Sequence, residues 1–136
     1  MGDRHFVLDS SAVLALIENE AGADRVEQAI REEPVLIPWL VLMEVYYISQ
    51  QEEGEAEAAR RHQLLKELPA DILWQVDEEV VLTAARFKAS FRLSLADALI
   101  AAYANQNAAI LLHKDPEYEP LAAQIALEAL PYKPIR

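Results

Sequence analysis

Phe6-Val7-Leu8 is a short run of apolar, β-favouring residues that ends on an acid, Asp9, followed by Ser10 and Ser11. Apolar residues then recur at helical spacing through Val13, Leu14, Leu16 and Ile17. The stretch reads as a buried strand, an acid and a helix. Ser10 is the expected helix N-cap, its hydroxyl accepting from a free backbone N–H one turn on. A carboxylate thus stands at the mouth of a buried strand beside a helix N-terminus. In open α/β sheets, ligands bind at that edge, outside the carboxyl ends of the strands. Asp9 also has an ordinary role open to it, as a cap of the same helix.

The pattern continues along the chain. Helices are expected over Ala23–Glu32, Trp39–Gln51, Ala58–Leu68, Glu78–Phe91 and Ser94–Asn107, with a short one over Tyr118–Ala123. Between them fall apolar strands at Val35–Ile37, Ile72–Val76 and Ala109–Leu112, and a last one near Ala126–Leu130. Asp77 is placed to cap one helix, and Ser94 with Asp97 has capping-box-like spacing at another. The run EEGEAE at Glu52–Glu57 reads as a solvated turn and helix start, and the tail PYKPIR as irregular. Strands alternating with helices predict an α/β fold: a mainly parallel central sheet of four to five strands, with helices on both faces. The 136 residues suit one domain spanning 1–136, which buries about two thirds of its unfolded surface. A hydrophobic content of 53% supports a real core.

The absence of cysteine excludes a disulfide framework, a thiolate metal site and a cysteine nucleophile. No apolar run reaches the roughly 18 residues of a membrane span, and no signal-peptide pattern opens the chain, so the expected compartment is the cytoplasm. The net charge of −11, from 12 basic and 23 acidic residues, argues against a non-specific nucleic-acid binder. It leaves a nuclease open, because carboxylates that hold divalent cations are partly neutralised by them.

The predicted topology gathers four acids. Asp9 follows the first strand, and Asp115 lies three residues past Leu112. Asp97 is in the first turn of the helix that feeds the fourth strand, and Glu44 is about a turn and a half into the helix leaving the second. All four are expected at one sheet edge. Converging carboxylates suit magnesium or manganese, hard ions that take oxygen ligands, and such ions serve phosphoryl chemistry. Each acid also has an ordinary reading: Asp97 as a capping residue, Glu44 on the solvent side of its helix, and Asp115 as a turn former before Pro116.

On these motifs the chain resembles PIN-domain ribonucleases, particularly the VapC-type toxins of prokaryotic toxin–antitoxin pairs. LDSSAVLALI resembles the opening strand with the first acid, PWLVLMEV the segment with the second, SLADALIAAYA the third, and LLHKDPEYEPL the fourth with its following aromatic. The resemblance implies a three-layer PIN-like domain and a magnesium- or manganese-dependent endoribonuclease. It implies catalytic Asp9, Glu44, Asp97 and Asp115, with Asp9, Asp97 and Asp115 at the metal and Ser11 as a nearby polar support. It also implies a homodimer and a small antitoxin that inserts a segment into the site. His113 stands where such toxins often have threonine; it reads as a packed histidine or as one that orients water or substrate.

Arg86, Lys88 and Arg92 form the clearest basic cluster and are candidates to contact RNA phosphates, with surface ion pairing as the ordinary alternative. Trp39 is a candidate for base stacking or for core packing. For so acidic a chain, structured RNA with a single exposed cleavage site fits better than bulk polymer. Two other readings compete: a receiver-like acidic phosphoacceptor, disfavoured by Gln75 and Val76 at the end of the third strand, and a non-catalytic PIN-like binding domain.

Overall fold

The computed structural model describes residues 4–134. Its strands are β1 (Phe6–Leu8), β2 (Val35–Pro38), β3 (Asp71–Leu73), β4 (Ile110–His113) and β5 (Ala126–Ala129). Its helices are α1 (Ser10–Ile17), α2 (Ala23–Glu32), α3 (Trp39–Glu53), α4 (Glu55–Glu67), α5 (Glu78–Ser90) and α6 (Leu95–Gln106), with a 3-10 helix over Pro116–Ala123. The strands form one sheet in the order β3-β2-β1-β4-β5, and every pairing is parallel. Successive side chains of a strand point to opposite faces. Phe6, Val7 and Leu8 are all fully buried, so the sheet is covered on both faces.

The order of the strands removes the receiver-like reading. In that fold the third strand lies beside the first. Here β1 lies between β2 and β4, and β3 is an edge. The strand order therefore reverses between β1 and β4. Ligand crevices open at such a switch point.

The elements differ from expectation at several ends, each for a local reason. Asp9, rather than Ser10, caps α1: its carboxylate accepts from the Ala12 N–H at 2.9 Å. The third strand stops at Leu73, short of Val76. Its partner β2 ends at Pro38, paired with Leu73, and α3 starts at the next residue, so Trp74–Val76 has nothing to pair with. Helix α3 runs on to Glu53 and α4 begins at Glu55, joined by Gly54 at φ +94°, a conformation that favours glycine. The short helix expected over Tyr118–Ala123 is a 3-10 helix and starts earlier, at Pro116. Asp77 and Ser94 cap α5 and α6 as their spacing predicts, accepting from the N–H groups of Val80 and Asp97. Of the tail, residues 131–134 form no helix or strand, and the last two lie outside the described residues.

Candidate metal and active site

The switch point between β1 and β4 is flanked by Asp9 and Asp115, each just past its strand. Asp9 is buried and held by two donors. Its carboxylate accepts from the Ala12 N–H and from the Ser11 hydroxyl, whose oxygen lies 2.7 and 2.8 Å from the two carboxylate oxygens. Ser11 Oγ in turn accepts from the Lys114 N–H at 2.8 Å. The first acid is thereby tied through one hydroxyl to the backbone that carries the last. Ser11, expected as a polar support, positions Asp9 here, and as a candidate substrate contact it would have to share that hydroxyl.

Asp97 is brought over from the first turn of α6, where it is half-buried. The hydroxyl of fully buried Tyr118 donates to its Oδ1 at 2.9 Å. Asp115 caps the 3-10 helix, accepting from the Glu117 N–H at 2.9 Å. Carboxylate oxygens of Asp97, Asp115 and Glu117 lie within 4.8 Å of one another. Glu44, half-buried on α3, accepts from the Ser10 hydroxyl, so the residue expected as a cap instead holds the second acid.

The electrostatics record the crowding. Asp9 is pushed up from 3.8 to about 7, first by burial and then by the charges of Asp97 and Asp115, against the hydrogen bonds from Ala12 and Ser11. Asp97 is pushed up to about 6 by burial and by Asp115, Glu44 and Glu117, against the Tyr118 hydroxyl. Burial and the neighbouring carboxylates raise the Tyr118 phenol well above its ordinary value, so it stays a donor at neutral pH. All the donors are carboxylate oxygens, the type that suits magnesium or manganese, and their mutual repulsion is of the kind a divalent cation relieves.

Two neighbours went unnamed in the sequence. Glu117 joins the cluster because Pro116 starts a 3-10 helix at once after Asp115; the Asp-Pro-Glu spacing is a signal that could have been used. Tyr118 entered the sequence reading only as the aromatic that follows the fourth acid, and its hydroxyl contact is tertiary. His113 is packed, 1% exposed and edge-on to Tyr118 at 5.0 Å between ring centroids. Its Nδ1 accepts from the Asp115 N–H at 3.1 Å, which places the ring proton on Nε2, and burial lowers its pKa.

Beside the acids runs a groove of about 670 Å3 lined by Lys88, Phe91, Arg92, Leu93, Ser94 and Glu117, among others. Arg92 is exposed along it. Lys88 donates to the Leu93 carbonyl at 2.8 Å, and Arg86 donates to the Thr83 hydroxyl at 3.0 Å. Among the described residues none of these three cations pairs with a carboxylate. Trp39 stands away from this groove: its indole N–H donates to the Tyr103 hydroxyl at 3.0 Å, which donates to the Gln75 carbonyl.

The PIN domain family profile matches residues 6–124. Among solved structures, the fold is similar to VapBC2 from Rickettsia felis bound to a DNA fragment from the promoter, with a TM-score of 0.76 and 13% identity over 93% of this chain and 99% of that one. It is similar to VapBC-1 from nontypeable Haemophilus influenzae at 0.72 and 17%, covering 92% of this chain and 97% of that one. It is also similar to VapC20 from Mycobacterium tuberculosis, a sarcin–ricin loop cleaving toxin, at 0.70 and 15%, covering 93% and 99%. No curated protein matches. With the family profile spanning nearly the whole sheet and all four acids foreseen in the sequence, the chain belongs to the PIN-domain family.

Proposed function

We propose that the protein is a metal-dependent endoribonuclease that cleaves RNA phosphodiester bonds and acts as the toxin of a toxin–antitoxin module. The observation that carries the chemistry is the convergence of Asp9, Asp97 and Asp115, with Glu44 and Glu117 beside them, on the crevice between β1 and β4. Asp9, Asp97 and Asp115 would hold magnesium or manganese, with Glu117 in reach of the last two. A bound divalent ion supplies polarisation of phosphoryl oxygens and activation of water. Ser11 and Tyr118 keep Asp9 and Asp97 aimed at the crevice, and Ser10 does the same for Glu44. Arg92 and Lys88 offer phosphate contacts in the adjoining groove, and Arg86, on another side of α5 and bonded to Thr83, is a more remote candidate. At a net charge of −11, selection of one exposed site in a structured RNA is favoured over capture of bulk polymer; equal cleavage of unrelated RNAs would overturn that part.

The toxin assignment draws on family membership and on the likeness in fold to VapBC structures. With it come a small antitoxin protein and a homodimer as partners. No helix among the described residues is long and apolar enough to cross a membrane, and the cytoplasm is the compartment this reading implies.

The test is cleavage of a fluorogenic single-stranded RNA with manganese, magnesium or EDTA, comparing wild type with Asp97→Asn. We expect cleavage that needs the metal and falls at least about a hundredfold in the variant, the scale of losing a transition-state contact of about 2.7 kcal/mol. Cleavage unchanged in Asp97→Asn would remove the site.

A further inference from the structure

At each of the three acids nearest the crevice, a donor of the protein engages one carboxylate oxygen. Oδ1 of Asp9 accepts from the Ala12 N–H at 2.9 Å, and Oδ1 of Asp115 from the Glu117 N–H at 2.9 Å. Both donors are backbone groups two or three residues on, which a capping turn supplies whatever side chains follow. The third hold is of another kind. Oδ1 of Asp97 accepts from the Tyr118 hydroxyl, 21 residues away, at 2.9 Å. Among the described residues, the Asp97 carboxylate meets no other donor, and its Oδ2 is left free.

Tyr118 is a fixed point. It is fully buried, its N–H donates to the Asp115 carbonyl at 3.2 Å, and its ring stands edge-on to His113. A phenylalanine would fill the same space, so the ring accounts for packing and only the hydroxyl reaches the site. Divalent ions differ in what they ask of a carboxylate. Calcium gathers about six to eight oxygens in a flexible shell and often takes both oxygens of one carboxylate. Magnesium demands a tighter octahedral set and keeps several waters, and manganese also suits octahedral oxygen sites. Chelation through both oxygens of Asp97 would compete with the hydrogen bond to Oδ1.

We propose that Tyr118 is a specificity-determining residue, whose hydroxyl holds Oδ1, presents Asp97 to an ion through Oδ2 and so selects the smaller octahedral ions over calcium. The inference rests on the metal site of the proposed function and adds which ions that site accepts.

Calorimetric titration of the whole protein, freed of metal by dialysis, with manganese, magnesium or calcium chloride tests it without RNA. Wild type is expected to bind manganese at least about tenfold more tightly than calcium. In Tyr118→Phe that preference should fall about tenfold, the scale on which groups that hold metal ligands act, with unchanged far-ultraviolet dichroism. A residue that only packs would, on substitution, weaken all three ions alike. An unchanged preference would therefore overturn the inference and leave the metal site standing. Wild type that binds calcium as tightly as manganese would also overturn it, and that measurement needs no variant to fold. Wild type that binds none of the ions would overturn the metal site and the inference together.

Discussion

Asp9 does two jobs that oppose each other. It caps α1, which favours the ionised form, and it is buried beside two other acids, which disfavours it. Burial wins, and the folded protein holds the Asp9 proton up to about pH 7, against an ordinary value of 3.8. A carboxyl group with a raised folded pKa contributes stability fully below its unfolded pKa and loses it as pH rises through the folded one. In EDTA, Asp9→Asn should therefore come close to wild type in stability near pH 4 and exceed it near pH 8, by on the order of 4 kcal/mol. Asparagine keeps the cap, so the comparison isolates the charge. A variant no more stable than wild type at pH 8 would refute the assignment. Glu44 shows how much of this site could be read from residues alone. An acid among bulky apolar helix positions marks a role, but its partner Ser10 lies 34 residues away, and no local pattern announces it.

At the scale of elements, the run Glu52–Glu57 is more than a solvated turn. Its last acid, Glu57, pairs with exposed Arg60 at 2.6 Å and with buried Arg61 at 2.9 Å. Arg61 also reaches Glu18 at the end of α1, at 3.2 Å, and donates to Ser49 of α3 at 3.0 Å. One guanidinium thus clamps three helices behind the site. Removing one partner of a buried ion pair costs far more than breaking an exposed one. Urea unfolding should show Arg61→Ala destabilised by about 3 kcal/mol and Arg60→Ala by at most about 0.5 kcal/mol. Equal costs would show that the clamp does not bear on the fold.

For the whole molecule, charge decides how RNA is met. At a net −11, long-range forces repel a polyanion, and the groove beside the acids offers Arg92 and Lys88 as cations. A single strand held by these two should lose affinity with salt at a log–log slope of about −1.4. Fluorescence anisotropy with the Asp97→Asn protein and a short oligonucleotide would measure it. A slope beyond about −4 would require a basic surface that these residues do not supply.

Several features followed from the sequence alone. The compact β-favouring run Phe6–Leu8, the helical spacing after it and the Asp77 and Ser94 caps are local, set by neighbours within a turn or a pleat, and they held. So did the placement of Asp9, Glu44, Asp97 and Asp115 at one edge, because parallel strands joined by helices carry every strand exit to the same side. Strand ends were less legible: β3 stops at Leu73 because its partner β2 has already turned into α3 past Pro38, a fact about another segment. The order β3-β2-β1-β4-β5 was likewise decided by packing, and it put the crevice between Asp9 and Asp115. Only the folded chain could recruit Glu117 and aim the Tyr118 hydroxyl at Asp97, because each depends on which distant surfaces meet.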